Sequence, residues 1–201
     1  MIQEVEMKLT AAETVSLDDI RVVCSFLAGG EGRRVKMAAR YFDTVDGALS
    51  KACLAYRTRK EGWRWVAALK GSGMSEGGLH RRMEVEREVT SGDADLSVFA
   101  DTESAELIAP FDGAVLLPIV ETEFERTVWM LADSAARVEI ALDEGEIRAG
   151  GKVAPIREIE LELKSGDEGA LHALANWLKG QFELTDENES KYARGLALHR
   201  G

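Results

Sequence analysis

Two segments far apart in the chain place charged side chains two residues apart, alternating with apolar ones. They contain Glu4, Glu6 and Lys8 in EVEMK, and Glu158, Glu160 and Glu162 in EIELEL. Because successive side chains of a β-strand point to opposite faces, each segment would have one charged face and one apolar face. Carboxylate oxygens are the ligands that hard divalent cations prefer. The two charged faces, arranged around one cavity, therefore predict a site for a divalent metal ion.

The same alternation in other strand-like segments assigns further charged side chains to this face. The acidic ones are Asp43, Glu84, Glu86, Glu139 and Asp143, and the basic ones are Arg57, Arg59, Lys70, Arg82 and Arg126. A predicted C-terminal helix adds Lys191 and Arg194, which lie one turn apart. Arginine forks suit phosphate oxygens, whereas clustered carboxylates repel one another unless a divalent cation neutralises them. A ligand that needs both kinds of group is a polyphosphate carrying Mg²⁺ or Mn²⁺, so the combination predicts phosphoryl chemistry.

The elements that must position these side chains are mostly strands. About eight strand-like segments with polar inward faces and apolar outward faces predict an inverted barrel, because small soluble barrels normally have an apolar interior. Helices would then cover the outside, and the inside would be a hydrophilic tunnel. Helical patterns run from Ser16, a candidate N-cap, to Gly30, from about Leu96 to Ala109, and over two C-terminal segments.

Three local patterns leave a choice between a functional and a structural interpretation. Asp143 in LDEGEI is either an inward carboxylate or the start of a turn before Gly145. The segment GSGMSEGG lacks the Gly-Lys-Ser/Thr ending of a phosphate loop, and we interpret it as a mobile strand connection that could close over one tunnel mouth. Strand alternation directs three tryptophans outward, as expected for packing residues: Trp63, Trp65 and Trp129. The tunnel then has no evident aromatic side chain on which a base could stack.

The composition is that of an ordinary globular chain of 201 residues, with 45% hydrophobic and 30% charged residues. A net charge of −11 argues against a general nucleic-acid or anionic-membrane surface. No apolar run approaches the ~20 residues of a membrane-spanning helix, and the segment MIQEVEMKL is no signal peptide, so we expect a cytoplasmic protein. We expect Cys24 and Cys53 to be reduced packing residues, and the three histidines show no metal-ligand spacing.

These segments, in this order, resemble the CYTH superfamily, also called triphosphate tunnel metalloenzymes. The resemblance runs through EVEMK, YFDT, YRTRK, WVAALKG, RMEVE, FERTVW, EIALDEGEI, EIELELKSG and SKYARGLAL, and so covers essentially the whole chain. It is strongest for the bacterial inorganic triphosphatase branch, in which the CYTH domain often precedes a helical CHAD domain associated with polyphosphate. The resemblance implies a single CYTH domain over residues 1–201, of α+β class, with a closed antiparallel eight-stranded barrel, a triphosphate tunnel and helices packed outside.

The resemblance also implies roles for the charged residues. The catalytic residues would be Glu4, Glu6, Lys8, Glu160 and Glu162. The metal ligands would be Glu4, Glu6, Glu160 and Glu162, with Asp143 and Glu158 as further ligands. The triphosphate would be held by Lys8, Arg57, Arg59, Lys70, Arg82 and Arg126, with Lys191 and Arg194 reaching in from the terminal helix. Val128 stands where many relatives carry a second basic residue, which removes one phosphate contact.

The function that the resemblance implies is metal-dependent hydrolysis of inorganic tripolyphosphate to pyrophosphate and phosphate, with Mg²⁺ or Mn²⁺ as cofactor. Thiamine triphosphatase and class IV adenylyl cyclase, in the same family, are alternatives, as is a non-catalytic module that binds polyphosphate or nucleotide. A CHAD domain in a longer parent chain is an expected partner. A broad apolar stripe in ALANWLKGQF is a candidate homodimer surface.

Overall fold

Eight long antiparallel strands form a closed barrel in the structure, a computed structural model that describes residues 2–200 and, within them, all side chains except those of residues 2, 3 and 72. The strands are β1 (Ile2–Ala11), β2 (Arg33–Asp43), β3 (Ala55–Glu61), β4 (Arg64–Glu76), β5 (Leu79–Val89), β6 (Leu117–Ala132), β7 (Ala136–Ala149) and β8 (Lys152–Gly166). Around the barrel they follow the order β5-β4-β3-β2-β6-β7-β8-β1, and β1 pairs with β5 to close it. A short strand, β9 (Leu184–Asp186), pairs with the end of β1. The expected barrel is confirmed.

Helices pack on the apolar outer face of the barrel, as expected. They are α1 (Leu17–Ala28), α2 (Ala48–Lys51), α3 (Ala105–Ile108) and α4 (Gly169–Gln181). A fifth helix, α5 (Lys191–Arg200), packs instead on inward-facing side chains at one end of the barrel. Helix α1 has the predicted ends, because Oγ of Ser16 accepts a hydrogen bond from the backbone of Asp19 and Gly29 adopts a left-handed conformation. Helices α1 and α4 cover β1, β7 and β8 through a shared core that includes Ile20, Leu161 and Leu171.

The continuous helix expected from about Leu96 to Ala109 is not formed. Instead, α3 lies between two 3₁₀ turns, Leu96–Phe99 and Ala109–Phe111. The hydroxyl of Thr102 donates a hydrogen bond of 2.7 Å to the carbonyl of Phe99 and so offers the backbone a partner outside the helical pattern. Local side-chain bonding therefore overrides the helical periodicity in this segment.

The segment GSGMSEGG does not form the long connection between strands that the sequence suggested. Its first six residues belong to β4, and Gly77 and Gly78 form the turn into β5 with φ angles of +56° and +78°. Positive φ at both positions is typical of a two-residue hairpin turn. The backbone of Lys8 donates to the carbonyl of Gly78 at 2.8 Å, and the backbone of Gly78 donates to Oδ1 of Asn188 at 2.9 Å. The turn is thereby held against β1, and the expected lid is wrong.

The inner face of the barrel is charged over only part of its length. Near α5 the inward side chains are apolar and form a cluster with the helix: Met37, Ala39, Tyr41, Val120, Phe124, Ile147, Ala149, Ile156 and Tyr192. Gly195 permits this close packing, since a Cβ there would lie 2.2 Å from Cγ1 of Val120. The expectation of a polar inner face along the whole barrel is therefore wrong at this end, which we call the α5 end.

The two cysteines differ in their surroundings. Both are free thiols, and Cys24, on the buried face of α1, is a packing residue as expected. Cys53 is exposed, in the connection between α2 and β3, so the expectation of a packing residue is wrong for it. Among the helices of residues 2–200, none is long and apolar enough to cross a membrane.

His80 is buried where β5 approaches the segment after β9. Its Nε2 lies 2.8 Å from the carbonyl oxygen of Glu187. Burial lowers the pKa of His80 from its ordinary value of 6.5; the hydrogen bond to Glu187 opposes this shift and the charge of Lys8 adds to it. The fold therefore favours the neutral imidazole.

We expect the stability of the protein to fall as the pH is lowered below 6.5, because the unfolded chain then binds a proton that folded His80 resists. In His80→Gln this part of the pH dependence should be lost. Thermal melts between about pH 7 and about pH 5 measure it. His172→Gln, at an exposed position, is the matched control and should keep the wild-type profile. Identical profiles in all three proteins would contradict the assignment.

Candidate active site

A cavity of about 840 Å³ lies inside the barrel. Pockets for drug-sized ligands measure about 300–1,000 Å³, so this one can admit a small polyanion. The residues predicted to face inward that line it are Glu4, Glu6, Lys8, Arg57, Arg59, Lys70, Arg82, Glu84, Glu86, Arg126, Glu139, Glu160, Glu162 and Lys191. Charged side chains of both signs thus share one space, as the strand parity predicts.

Three carboxylates form a buried cluster where β7 and β8 pair. Asp143 and Glu158 are cross-strand partners, and oxygens of Asp143, Glu158 and Glu160 lie within 4.8 Å of one another. The Nζ atom of Lys191 contacts all three, at 2.8 Å, 2.5 Å and 2.8 Å respectively. Arg126 donates two hydrogen bonds to Asp143, of 2.7 Å and 2.6 Å. Asp143 lies within β7, so the alternative that it begins a turn is wrong.

Glu160 joins this cluster to β1. Its carboxylate accepts hydrogen bonds from Lys8 at 3.0 Å, from Lys191 at 2.8 Å and from Arg126. Burial alone would raise the pKa of Glu160, but the charges of Lys191, Lys8 and Arg126 outweigh it and hold the pKa well below the ordinary value of 4.5. Burial also disfavours the charged form of Lys191, yet the surrounding carboxylates raise its pKa well above 10.5. Both groups are ionised at neutral pH.

A second group of ion pairs surrounds Arg82 and Lys70, on β5 and β4. Arg82 donates to Glu4 at 3.0 Å and to Glu6 at 2.7 Å. The Nζ atom of Lys70 lies 3.2 Å from Glu4 and 2.8 Å from Glu84. Burial and the charges of two neighbouring arginines outweigh these carboxylates and lower the pKa of Lys70 from 10.5. Lys70 therefore loses its proton more readily than a lysine in water.

Arg57 and Arg59 form the basic wall that β3 contributes. Nη2 of Arg57 lies 3.3 Å from Glu86 and 3.5 Å from Glu84, and Arg59 pairs with Glu61. The Nε atoms of both arginines are buried and have no hydrogen-bond partner in the described part of the chain. A buried donor without a partner is costly, so these N–H groups are suited to a ligand that brings oxygen acceptors.

Two aromatic residues of the cavity were missed by the sequence reasoning. The rings of Tyr41 and Tyr192 stack with centroids 5.2 Å apart, and both side chains line the cavity. Burial would raise the pKa of Tyr41, but the charge and hydrogen bond of Arg57 outweigh it, and the pKa lies below the ordinary 10.0. A signal for Tyr41 was available, because it shares strand parity with Asp43, which was assigned to the inner face.

The end of the cavity far from α5, which we call the hairpin end, is formed by the β3–β4 turn and the start of β2. Trp63 in that turn and Arg33 in β2 both line the cavity. Trp63 is 85% exposed, so its interpretation as a packing residue is wrong. Trp129 is buried, as expected, and donates to the hydroxyl of Ser25 at 3.1 Å. Tight turns are where strand parity ends, which explains the error at Trp63.

Glu139 and Glu162 face each other across β7 and β8, with Lys164 beside them. The Nζ atom of Lys164, which the sequence reasoning missed, lies 2.6 Å from Glu162 and 3.7 Å from Glu139. Burial raises the pKa of Glu162 above 4.5 against the effect of Lys164, and the charges of Glu4 and Glu139 add to the rise.

Two residues assigned to the inner face lie elsewhere. The carboxylate of Asp43 accepts hydrogen bonds from the backbone of Thr44, Leu49 and Ser50, at 2.8 Å, 2.8 Å and 3.0 Å, and so fixes the start of α2 instead of facing the cavity. Arg194 was expected to reach into the tunnel, but its guanidinium binds Glu158 and the carbonyl of Pro155 outside the cavity lining. It holds α5 against β8.

The donor set fits the metal that the sequence predicts. Mg²⁺ and Mn²⁺ prefer oxygen ligands, and the oxygens of the cluster around Glu160 are close enough to share one ion. The Nζ atom of Lys8 contacts Glu160 and also lies 3.3 Å from Glu6. Glu6 on β1 is therefore close to the carboxylate cluster. Positive side chains neutralise these carboxylates in the structure, and a divalent cation could replace part of that charge.

Comparison with known sequences agrees with this geometry. The family model described as CYTH domain matches residues 3–196. A relative named inorganic triphosphatase, from Haemophilus influenzae, is 30% identical over 208 residues, and the match covers 98% of this chain. It covers 55% of that relative, so the chain spans about half of the relative's length.

Solved structures share the fold. A protein from Hippeastrum, described as a candidate adenylyl cyclase with a dominant triphosphatase activity, superposes with a TM-score of 0.69 at 19% identity, covering 98% of this chain and 96% of that one. A protein from Pyrococcus horikoshii superposes with a TM-score of 0.56 at 17% identity, covering 98% and 99% respectively. At these identities the likeness supports the barrel architecture alone.

We expect Asp143→Asn to lower the free energy of unfolding by about 3 kcal/mol, because Arg126 and Lys191 would stay buried with one charged partner fewer. The adjacent Glu144→Gln is the matched control. The half-exposed side chain of Glu144 pairs with Arg21 on the outer face, and its loss should cost less than about 1 kcal/mol. Urea unfolding followed by circular dichroism measures both. Equal losses would contradict a central role for Asp143.

Proposed function

The chain belongs to the CYTH domain family, and from this premise we propose that it hydrolyses inorganic tripolyphosphate to pyrophosphate and phosphate inside the barrel, with Mg²⁺ or Mn²⁺. One observation carries the proposal: the cavity is lined by arginines whose buried Nε donors have no partner among the described residues, and also by Glu160 of the buried carboxylate cluster. A condensed phosphate with a divalent cation satisfies both groups at once. The name of the Haemophilus influenzae relative supports the same substrate class.

The basic side chains of the cavity bind the substrate in this proposal. They are Lys8, Arg57, Arg59, Lys70, Arg82, Arg126 and Lys191. The free Nε donors of Arg57 and Arg59 can bind phosphate oxygens without giving up an existing hydrogen bond. Arg126 and Lys191 must exchange carboxylates for phosphate oxygens, and Arg194 positions α5 so that Lys191 reaches the cavity.

The carboxylates would hold the metal. The residues assigned to it are Glu4, Glu6, Glu160 and Glu162, together with Asp143 and Glu158. When bound, a divalent cation neutralises phosphate charge and makes a bound water a better nucleophile. The chain itself orients the phosphate oxygens and surrounds the developing negative charge with fixed cations, which are the main requirements of phosphoryl transfer. No covalent nucleophile is needed for this reaction.

Phosphate release from four substrates tests the proposal. We expect metal-dependent turnover of tripolyphosphate to exceed that of ATP, thiamine triphosphate and long-chain polyphosphate, and to disappear in EDTA. A preference for thiamine triphosphate, or formation of cyclic AMP from ATP, would reassign the substrate. Tight binding of tripolyphosphate without turnover in Mg²⁺ or Mn²⁺ would identify a binding module instead.

Glu4→Gln should lower the metal-dependent rate by about a hundredfold or more, because it removes a carboxylate charge assigned to the metal. The fold should persist, since Arg82 keeps Glu6 and Lys70 keeps Glu84 as partners. Initial rates at increasing Mn²⁺ concentration measure the effect. Glu121→Gln, a half-exposed residue that pairs with Arg40 on the outer face, is the control and should behave as wild type. An unchanged rate in Glu4→Gln would exclude it as a ligand.

A further inference from the structure

Arg33 is the first residue of β2 and lines the hairpin end of the cavity. Its cross-strand partner on β6 is Val128, and two residues further along β2 the partner of Val35 is Arg126. At about 3.3 Å per residue, Arg33 therefore lies about 7 Å nearer the hairpin end than the level of Arg126. Its side chain extends the basic wall of the cavity toward the exposed mouth.

Arg33 differs from the other basic side chains of the cavity in having no ion pair with a carboxylate of the described residues. The basic residues that line the described cavity and do form ion pairs are Lys8, Arg57, Arg59, Arg64, Lys70, Arg82, Arg126, Lys164 and Lys191. No ion pair joins Arg33 to any residue that the structure describes. Its neighbour Val128 is apolar, so Arg33 alone supplies positive charge to this part of the wall formed by β2 and β6.

The position of Arg33 is fixed by the residue before it. A Cβ on Gly32 would lie 2.5 Å from the ring of Trp129 and 2.6 Å from Cγ2 of Thr127, so only glycine permits β2 to begin this close to β6. Trp129 and Thr127 are buried on the opposite face of β6 from Val128. With Gly32 packed on that outer face, alternation along the strand directs Arg33 inward.

We propose that Arg33 binds the terminal phosphate of the condensed-phosphate substrate at the hairpin end of the cavity. This inference rests on the proposed function and adds a contact to it. The other cations of the cavity are already engaged in ion pairs, whereas Arg33 has none with the described residues, so its guanidinium can bind phosphate oxygens without breaking one. It is thus a substrate-binding residue and not part of the carboxylate network, and its loss should weaken binding without slowing the chemical step.

The test compares Arg33→Ala with Arg34→Ala. Arg34→Ala removes the same charge one residue away. Both side chains are exposed, but Arg34 pairs with Glu125 and does not line the cavity. We expect Arg33→Ala to raise the KM for tripolyphosphate about tenfold, the effect of one charge-assisted contact, with kcat within about twofold of wild type. Arg34→Ala should leave both constants near wild type, and the melting temperatures of both variants should match the wild type.

Calorimetric titration of tripolyphosphate in EDTA gives a second readout that needs no turnover, and Arg33→Ala should weaken the Kd by a similar factor. An unchanged Kd in Arg33→Ala, or an equal loss in Arg34→Ala, would overturn the inference while leaving the triphosphatase proposal intact. Wild-type binding without hydrolysis would overturn the proposed function, and the Kd comparison would still decide the role of Arg33. Failure of the wild type both to bind tripolyphosphate in EDTA and to bind or hydrolyse it in Mg²⁺ or Mn²⁺ would overturn both.

Discussion

Charge compensation inside the barrel is the constraint on which the rest of the structure depends. Removing an ion from water costs several kcal/mol, and that cost is offset only where a partner of opposite charge is well placed. Closure lets β1 pair with both β5 and β8, so that Arg82 meets Glu4 while Lys8 meets Glu160. An open sheet would leave one of these pairings unmade. Closing the barrel and neutralising its interior are therefore parts of the same folding event.

The ion pairs inside the barrel also determine what the binding of a polyanion in the cavity requires. Lys191 already contacts Asp143, Glu158 and Glu160, so phosphate oxygens must compete with these carboxylates for it. A paired cation that turns to phosphate reduces the neutralisation of a buried carboxylate, and a buried carboxylate left with no partner would cost about 3–5 kcal/mol. A divalent cation among the freed oxygens removes that cost. In the proposed function, anion and metal binding are therefore coupled, and the coupling is equal in both directions.

Strand alternation was sufficient to predict which charged residues share a face, because a strand has only two faces. It cannot supply the register that puts Lys8 opposite Glu160, since this pairing joins residues 152 apart in sequence. Alternation also fails where a strand ends, and the carboxylate of Asp43 there binds backbone groups instead. In GSGMSEGG the glycines suggested a loop, but Gly73 lies in β4, where it permits a close approach to β5: a Cβ there would come 2.2 Å from the carbonyl oxygen of Arg81.

Helix α5 connects the apolar part of the barrel interior to the charged cavity. Its first residue, Lys191, lies among the carboxylates, while Gly195 packs against Val120. At 1.5 Å per residue these two positions are about 6 Å apart along the helix axis. Closely packed apolar contacts hardly deform, so the packing of Gly195 on Val120 determines where the ammonium group of Lys191 stands. The apolar contacts of α5 thus carry no charge themselves, yet they determine the distances between Lys191 and the carboxylates.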